Sequence, residues 1–336
     1  STPSNSSAAS DVYKRQLLAQ CFMPNIGGII AVSYVESQFE FNLISPSVLD
    51  YSVIDGTEPA ESMLTVNEYI AEDYWSAVNG SSLPENLQGV RSRADEISEK
   101  YGVRILLSSQ CLPACTFAEY PTTTTDQMDL ADEAASINAA LDSLEEALSL
   151  YPEGFFPQFR SEFGDGGIRI MLVGGFESNF NMIGYSVQNS LWHNIYVDIF
   201  SEGLVGTYCH EIWHATEDHI TSINYGEFDV VQWAELNPDG FQYIFDPAES
   251  ILNEGDYTYF GSTKPKDCYF IDGYAKTNER EDRARIMEYA MTGFFGSELS
   301  EYPHLYAKLR YMSDKIRQYF DTTGWSTPRW EDALGE

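Results

Sequence analysis

Apolar residues recur along the chain in patterns that predict helices on either side of a few short strands. The clearest helix covers residues 130–150 and ends before Pro152. Its apolar face is formed by residues three or four positions apart: Ile137, Leu141, Leu144 and Leu148. Similar spacing predicts further helices at 65–78, 86–101, 278–294 and 302–320, and one from just after Ser201 to about His219. Short apolar or alternating runs predict strands at 103–107, 168–173 and 191–200. This order is typical of an α+β fold.

The first 60 residues are predicted to be a leader and a poorly defined N-terminal extension, because they show no sustained hydrophobic period. The run Leu18-Ala19-Gln20-Cys21 is similar to a lipoprotein cleavage site, although Gln20 stands where a small residue is wanted. Export to the outside of the cell or to its surface, as a lipoprotein or a secreted protein, is the expectation. Residues 61–336 are left for one domain, with an upstream lobe to about 219 and a downstream lobe over 220–336.

Composition excludes several classes of partner. The chain has 19 Lys and Arg against 52 Asp and Glu, a formal net charge of −33. Such a field repels nucleic-acid phosphates and anionic membranes, so we expect no nucleic-acid partner. No apolar stretch is long enough for a transmembrane segment. A hydrophobic content of 43% predicts a folded chain rather than a disordered acidic one.

The five cysteines are too few to build a disulfide-dependent fold. Cys111 and Cys115 flank a three-residue segment and could close a small loop by a disulfide in an oxidising compartment. Two reduced thiols in a turn are the other interpretation. Cys209, directly before a histidine of interest, is expected to be a buried packing residue.

The run His210-Glu211-Ile212-Trp213-His214 has the form His-Glu-x-x-His. Residues four apart share one face of a helix, so both imidazoles could bind one Zn²⁺. Glu211 would then lie beside the open coordination position, where it could act as general base toward a metal-activated water. An exposed helix with two unrelated histidines is the alternative interpretation.

A catalytic zinc site of this kind needs a third protein ligand. The long metalloprotease motif is absent, because Glu217 and Ile220 stand where it requires glycine and histidine, and His219 is one residue early. A glutamate from a later helix is the other known solution. The sequence offers Glu279 and Glu281 for that role.

The segment from Tyr274 through Asn278 to Glu281, together with residues 203–219, resembles the catalytic domain of anthrax lethal factor and related bacterial zinc peptidases. These are zincins with a glutamate ligand, known as gluzincins. The resemblance implies a zincin-like α+β fold, with a small mixed sheet, an active-site helix carrying the motif and a mostly helical C-terminal lobe. It implies that Glu281 is the third zinc ligand and that Tyr274 stabilises the oxyanion.

Two features of this segment depart from the resemblance or compete with it. Family members often have an acidic residue four positions after the ligand, where it orients a histidine, whereas Arg285 stands there in this chain. Asn278 and Glu281 also have the spacing of a helix N-cap with glutamate at the third helical position, which would explain Glu281 without any metal. Glu279 remains the alternative ligand.

These observations predict a zinc-dependent endopeptidase acting on peptides or proteins. None of the residues from Ile170 through Thr263 is Lys or Arg, so a basic substrate is expected to be preferred. Two alternatives remain: a non-catalytic surface or secreted binding protein on a zincin scaffold, and a toxin-like peptidase with a single host protein target.

Overall fold

The computed structural model divides the chain into two compact units. One comprises Ser1–Leu83 with Leu112–Glu119, and the other comprises Pro84–Cys111 with Tyr120–Glu336. The residues that the structure describes are 22–23, 28–35, 38–44 and 64–65, and then 83–335 except for 112–114, 116–119, 162–163, 165, 178–181, 190–191, 225–227, 229 and 246–257. The helix predicted over 65–78 falls, beyond Thr65, outside the described residues.

The first unit contains an antiparallel sheet. Its strands pair in chain order: β1 (Phe22–Met23), β2 (Gly28–Val35), β3 (Gln38–Ile44) and β4 (Leu64–Thr65). Strands β2 and β3 form a hairpin that runs in register from the Ile29–Ile44 pair to the Val35–Gln38 pair. Strands β1, β2 and β3 lie within residues 1–60, the region predicted as a poorly defined extension, whereas β4 lies just after it. The alternation of apolar and polar residues through Phe39, Phe41 and Leu43 is the sequence signal from which β3 could have been predicted.

The second unit is built around a small mixed sheet. The described strands of this unit are β5 (Arg104–Leu107), β6 (Thr122–Thr123), β7 (Gly167–Val173), β8 (Gly175–Phe176), β9 (Gly184–Asn189), β10 (Trp192–Asp198), β11 (Thr258–Tyr259) and β12 (Cys268–Phe270). Four of them form the main sheet in the order β5-β7-β10-β9. β7 is parallel to both β5 and β10, whereas β9 is antiparallel to β10 and forms the edge. Every residue of the central strand β7 is buried, as expected for a parallel strand covered on both faces.

Seven α-helices lie among the described residues of the second unit. They are α1 (Gln88–Tyr101), α2 (Glu133–Ser149), α3 (Leu204–Asn224), α4 (Val230–Glu235), α5 (Glu279–Thr292), α6 (Pro303–Tyr319) and α7 (Arg329–Asp332). The prediction of an α+β fold is confirmed, and the predicted helices in this unit agree with α1, α2, α3, α5 and α6 within a few residues at most ends. Helix α3 continues five residues past His219. Among the described residues, none of the helices combines the length and apolarity needed to cross a membrane.

Helix α3 lies at the centre of the core of the second unit. Helix α3 contacts β9 and β10 of the sheet and also α2 and α5. Successive residues, which point to different faces of the helix, are buried, among them Tyr208, Cys209 and His210. A helix buried nearly all round can present polar side chains only to other protein groups or to an enclosed site, and α3 does so at the face toward α5.

Candidate metal centre

Helix α3 directs three polar side chains of the predicted motif into the interior. His210, Glu211 and His214 are 8%, 4% and 8% exposed. The two histidines are one helical turn apart, and their imidazole rings meet edge to face with centroids 4.9 Å apart. Polar groups this deeply buried need partners, so the residues opposite them determine what the site can do.

Helix α5 provides the partner. Its N-cap is Asn278, whose side-chain oxygen accepts hydrogen bonds from the backbone N–H groups of Arg280 (2.9 Å) and Glu281 (3.0 Å). This cap fixes the first turn of α5 and places Glu281 at its third residue. The N-cap interpretation of Asn278 is therefore correct, but the carboxylate of Glu281 lies against the histidines of α3.

The three side chains converge on one point. Glu281 Oε2 lies 3.0 Å from His210 Nε2 and 3.5 Å from His214 Nε2, and the two Nε2 atoms are 3.2 Å apart. One potential ligand atom from each residue lies within 4.8 Å of the others, an arrangement that could hold a metal ion. Lone pairs from three acceptors that face one another at these distances repel unless a proton or a cation lies between them. Glu279 is not a member of this group.

The charged and polar groups of the cluster shift one another's pKa values. Burial alone would lower the pKa of His210, but the hydrogen bonds to Glu281 and Glu288 and the nearby negative charge outweigh it and raise that pKa. Burial would raise the pKa of Glu281, but the two histidines lower it well below its usual range. A carboxylate that stays ionised beside two imidazoles has the properties that a cation ligand requires.

Glu211 is held apart from this convergence. Burial raises the pKa of its carboxyl to about 7, although His210 and His214 act in the opposite direction. Its Oε2 atom is buried and has no hydrogen-bond partner among the described residues. Gly184 of the edge strand lies directly against it, and a Cβ added to that glycine would be 2.9 Å from Glu211 Oε1. Glu211 is thus a desolvated carboxyl with one oxygen available.

Tyr274 lies at the same site. It begins the short 3₁₀ turn Tyr274–Lys276, and its ring centroid is 6.3 Å from that of His210. Burial raises the pKa of its hydroxyl, and the charges of Glu281 and Glu211 and a hydrogen bond to Glu281 raise it further. The hydroxyl therefore remains a hydrogen-bond donor at any ordinary pH.

Sequence reasoning missed the residue that contacts the outer nitrogen of His210. Glu288 Oε2 lies 3.3 Å from His210 Nδ1. Glu288 is seven residues after Glu281, two turns along the same face of α5, so the spacing itself was the available signal. Arg285, at the position where an acidic residue was expected, instead forms a hydrogen-bonded ion pair with Glu288.

Two ion pairs fasten α3 to α5 next to the cluster. Arg283 binds Glu217 through two hydrogen bonds of 3.0 and 2.5 Å, and their side chains are only 3% and 6% exposed. Arg280 pairs with Asp218 at 2.7 Å. The relative placement of the two helices is therefore set by contacts other than those among the candidate ligands.

The remaining predicted residues lie elsewhere. His219 packs on Phe159, with ring centroids 4.7 Å apart, and lies 5.7 Å from His193 in the core. Cys209 is fully buried, and burial raises the pKa of its thiol, as expected for an unreactive packing residue. Cys111 is a buried thiol whose Sγ donates to the backbone carbonyl of Leu172 (3.7 Å), which favours the reduced interpretation.

No family model matches the chain, and comparisons with curated proteins and with solved structures also gave no match.

Proposed function

We propose that this protein is a zinc-dependent endopeptidase with a zincin-like fold, in which Glu211 acts as general base. The observation that carries the proposal is the convergence of His210, His214 and Glu281 from two helices, with Glu211 next to it on the same helix. A structural cluster of two histidines and a glutamate would not require a second buried carboxyl with an oxygen left without a partner.

The donor set fits zinc. Two imidazole nitrogens and one carboxylate oxygen form a three-residue set typical of catalytic zinc sites, which leave one coordination position open. Carboxylate oxygens alone would favour Mg²⁺ or Ca²⁺, and thiolates would favour a structural site. Zn²⁺ held by these residues would polarise a substrate carbonyl and lower the pKa of water.

The chain's own groups would carry the proton transfers. Glu211 would take a proton from water as the water oxygen bonds to the carbonyl carbon, and would pass that proton to the amine nitrogen as the C–N bond breaks. Its desolvated carboxyl, whose pKa is raised to about 7, is a stronger base than an exposed glutamate. Tyr274, whose hydroxyl is kept protonated, would donate a hydrogen bond to the carbonyl oxygen as negative charge develops there.

The edge strand β9 supports a peptide substrate. It stands at the end of the strand order in the described sheet, next to β10, where an extended peptide would add by β-augmentation. Gly184, in this strand, touches Glu211, so a peptide paired with β9 would run past the general base. The preference for basic peptides, and export from the cell, remain predictions from the sequence.

The test is the Glu211→Gln variant, compared with Glu202→Gln at an exposed position just before α3. Glu211→Gln should keep bound zinc and lose at least about 100-fold in hydrolysis of an unstructured protein, because the ligands remain and the base is gone. Glu202→Gln should behave as wild type. Zinc binding with no hydrolysis in the wild-type protein, over a panel that includes basic peptides, would favour the non-catalytic binding protein. Cleavage restricted to one host protein would favour the toxin-like peptidase.

A further inference from the structure

Arg285 connects two parts of the site that are separate in the sequence. Its guanidinium lies between the carboxylates of Asp272 and Glu288. Asp272 stands two residues before Tyr274, whereas Glu288 contacts His210. One side chain therefore joins the turn that carries the proposed oxyanion stabiliser to a candidate metal ligand.

Each contact in this connection is directional. Arg285 Nε and Nη2 both donate to Asp272 Oδ2, at 3.0 and 2.5 Å. The other oxygen of Asp272 accepts the backbone N–H of Ala275 at 3.0 Å, which holds the 3₁₀ turn containing Tyr274. On the other side, Arg285 Nη1 donates to Glu288 Oε2, the same oxygen that faces His210 Nδ1.

We propose that Arg285 is a positioning residue that orients both His210, through Glu288, and Tyr274, through Asp272. The inference rests on the proposed function for the role of Tyr274, while the effect on His210 concerns metal binding alone. A planar guanidinium with a fixed fork of donors can hold two carboxylates at once in a defined orientation. Lysine, a single rotatable ammonium, cannot reproduce that geometry.

The surroundings of Glu288 leave its carboxylate little freedom on the other side. Gly206 of α3, one turn before His210, lies against it, and a Cβ at that glycine would be 3.1 Å from Glu288 Oε1. Arg285 thus holds Glu288 from one side, and the glycine surface of α3 limits it from the other. The side chains of Glu288 and Arg285 are 16% and 20% exposed, so water competes only weakly for these hydrogen bonds.

Metal affinity tests the first half of the proposal without any hydrolysis. Zn²⁺ affinity is measured by chelator competition, and Co²⁺ is substituted so that the visible spectrum reports ligand geometry. Arg285→Met should weaken Zn²⁺ binding about 10- to 100-fold and shift the Co²⁺ bands, as loss of an outer partner of a ligating histidine does. Arg285→Lys should recover only part of the affinity.

The matched control is Arg280→Met, an identical change on the same helix. Arg280 also pairs across to α3, but its side chain is 42% exposed and its partner is Asp218, not a candidate ligand, while the buried Arg283–Glu217 pair still joins the helices in this variant. Its Zn²⁺ affinity should stay within about threefold of wild type. Equal affinities in Arg285→Met and Arg280→Met would overturn the proposal for His210.

Gly206→Ala probes the same carboxylate from α3. Alanine is the better helix former, which offsets the cost of the tighter contact with Glu288, so the variant should remain folded. Its added Cβ should displace Glu288 by a few tenths of an ångström and weaken Zn²⁺ binding in the same direction as Arg285→Met. Unchanged affinity would argue against an orienting role for Glu288.

The second half is tested by a double-mutant cycle with Tyr274→Phe at saturating Zn²⁺. If Arg285 positions Tyr274, the loss of kcat in the double variant should be clearly smaller than the product of the two single losses. Independent, multiplicative losses would overturn this half. A wild-type protein that binds zinc and hydrolyses nothing would refute the proposed function, but the metal-affinity result would still stand.

Discussion

The contact between Gly184 and Glu211 allows a sharp test of where the catalytic carboxyl must lie. Gly184→Ala would add a Cβ 2.9 Å from Glu211 Oε1 and 3.1 Å from both Glu211 Cγ and Thr207 Cγ2. The backbone of Gly184 does not have the positive φ that excludes a side chain. The substitution should therefore act on its neighbours and not on the fold of β9.

The size of the effect follows from the distances. An ordinary contact begins at about 3.4 Å, so the carboxyl must move by about 0.5 Å. Misplacement of a reacting group by about 1 Å can cost about 100-fold in rate, so half that shift should cost about tenfold in kcat/KM, or about 1.4 kcal/mol. Zinc affinity should stay within about threefold, because Glu211 is not one of the converging ligands.

The assay is kcat/KM on an unstructured protein substrate, together with zinc affinity and the melting temperature. Gly89→Ala is the control, because Gly89 is exposed on α1 and a Cβ there would meet nothing within 4 Å. Wild-type kcat/KM in Gly184→Ala would refute the reasoning, as would a loss of zinc affinity as large as the loss of rate.

Three further predictions concern the ligands, the oxyanion and the core. Glu281→Ala should lower zinc occupancy far more than Glu279→Ala in a metal assay, and the reverse order would make Glu279 the third ligand. Tyr274→Phe should lower kcat with zinc retained, because only transition-state stabilisation is removed; an unchanged kcat would exclude that role. Burial lowers the pKa of His193 to about 3, with His219 contributing, and that of His219 to about 4, so both take up protons on unfolding once the pH falls below about 6.5. The free energy of unfolding should fall from there toward pH 4 by up to about 1.4 kcal/mol per pH unit for each histidine. Denaturant unfolding at several pH values should show that the free energy of unfolding of His219→Leu depends less on pH than that of wild type.

The elements that sequence reasoning predicted in the second unit are those with a long, regular pattern. Helix α2 is an example, because its buried face repeats without a break from Ile137 to Leu148 and Asp132 caps its start. Strand β9 and helix α4 were missed. Six residues each, one at a sheet edge and one in a helix shorter than two turns, give a pattern too brief to separate from a loop.

The residues of the candidate site also differ in how far the sequence predicts them. The His-Glu-x-x-His run is local, so helix geometry alone brings His210 and His214 together. Glu281 could be expected only through a resemblance, because no local rule joins residues on two different helices. The outer nitrogen of His210 can be met from four or from seven residues after Glu281, since at about 100° per residue both positions lie within about 40° of the same face. In this chain the acidic residue stands at the second of these positions. Contacts with Gly206 and Arg285 hold its carboxylate there.

The ion pairs between α3 and α5 have a consequence for how the sequence around such a site can evolve. A span of 67 residues separates His214 from Glu281 along the chain. Since Arg283–Glu217 and Arg280–Asp218 join the helices directly, the connecting segment must present Asp272 and Tyr274 but does not have to hold the two helices together. Doubling the length of a flexible loop costs only about 0.6 kcal/mol in closure entropy. Insertions in the loops that precede Asp272 therefore cost little closure entropy, whereas a small rotation of either helix would separate the ligands. Motif spacing in sequence is free to vary here, and the angle between two helices is not.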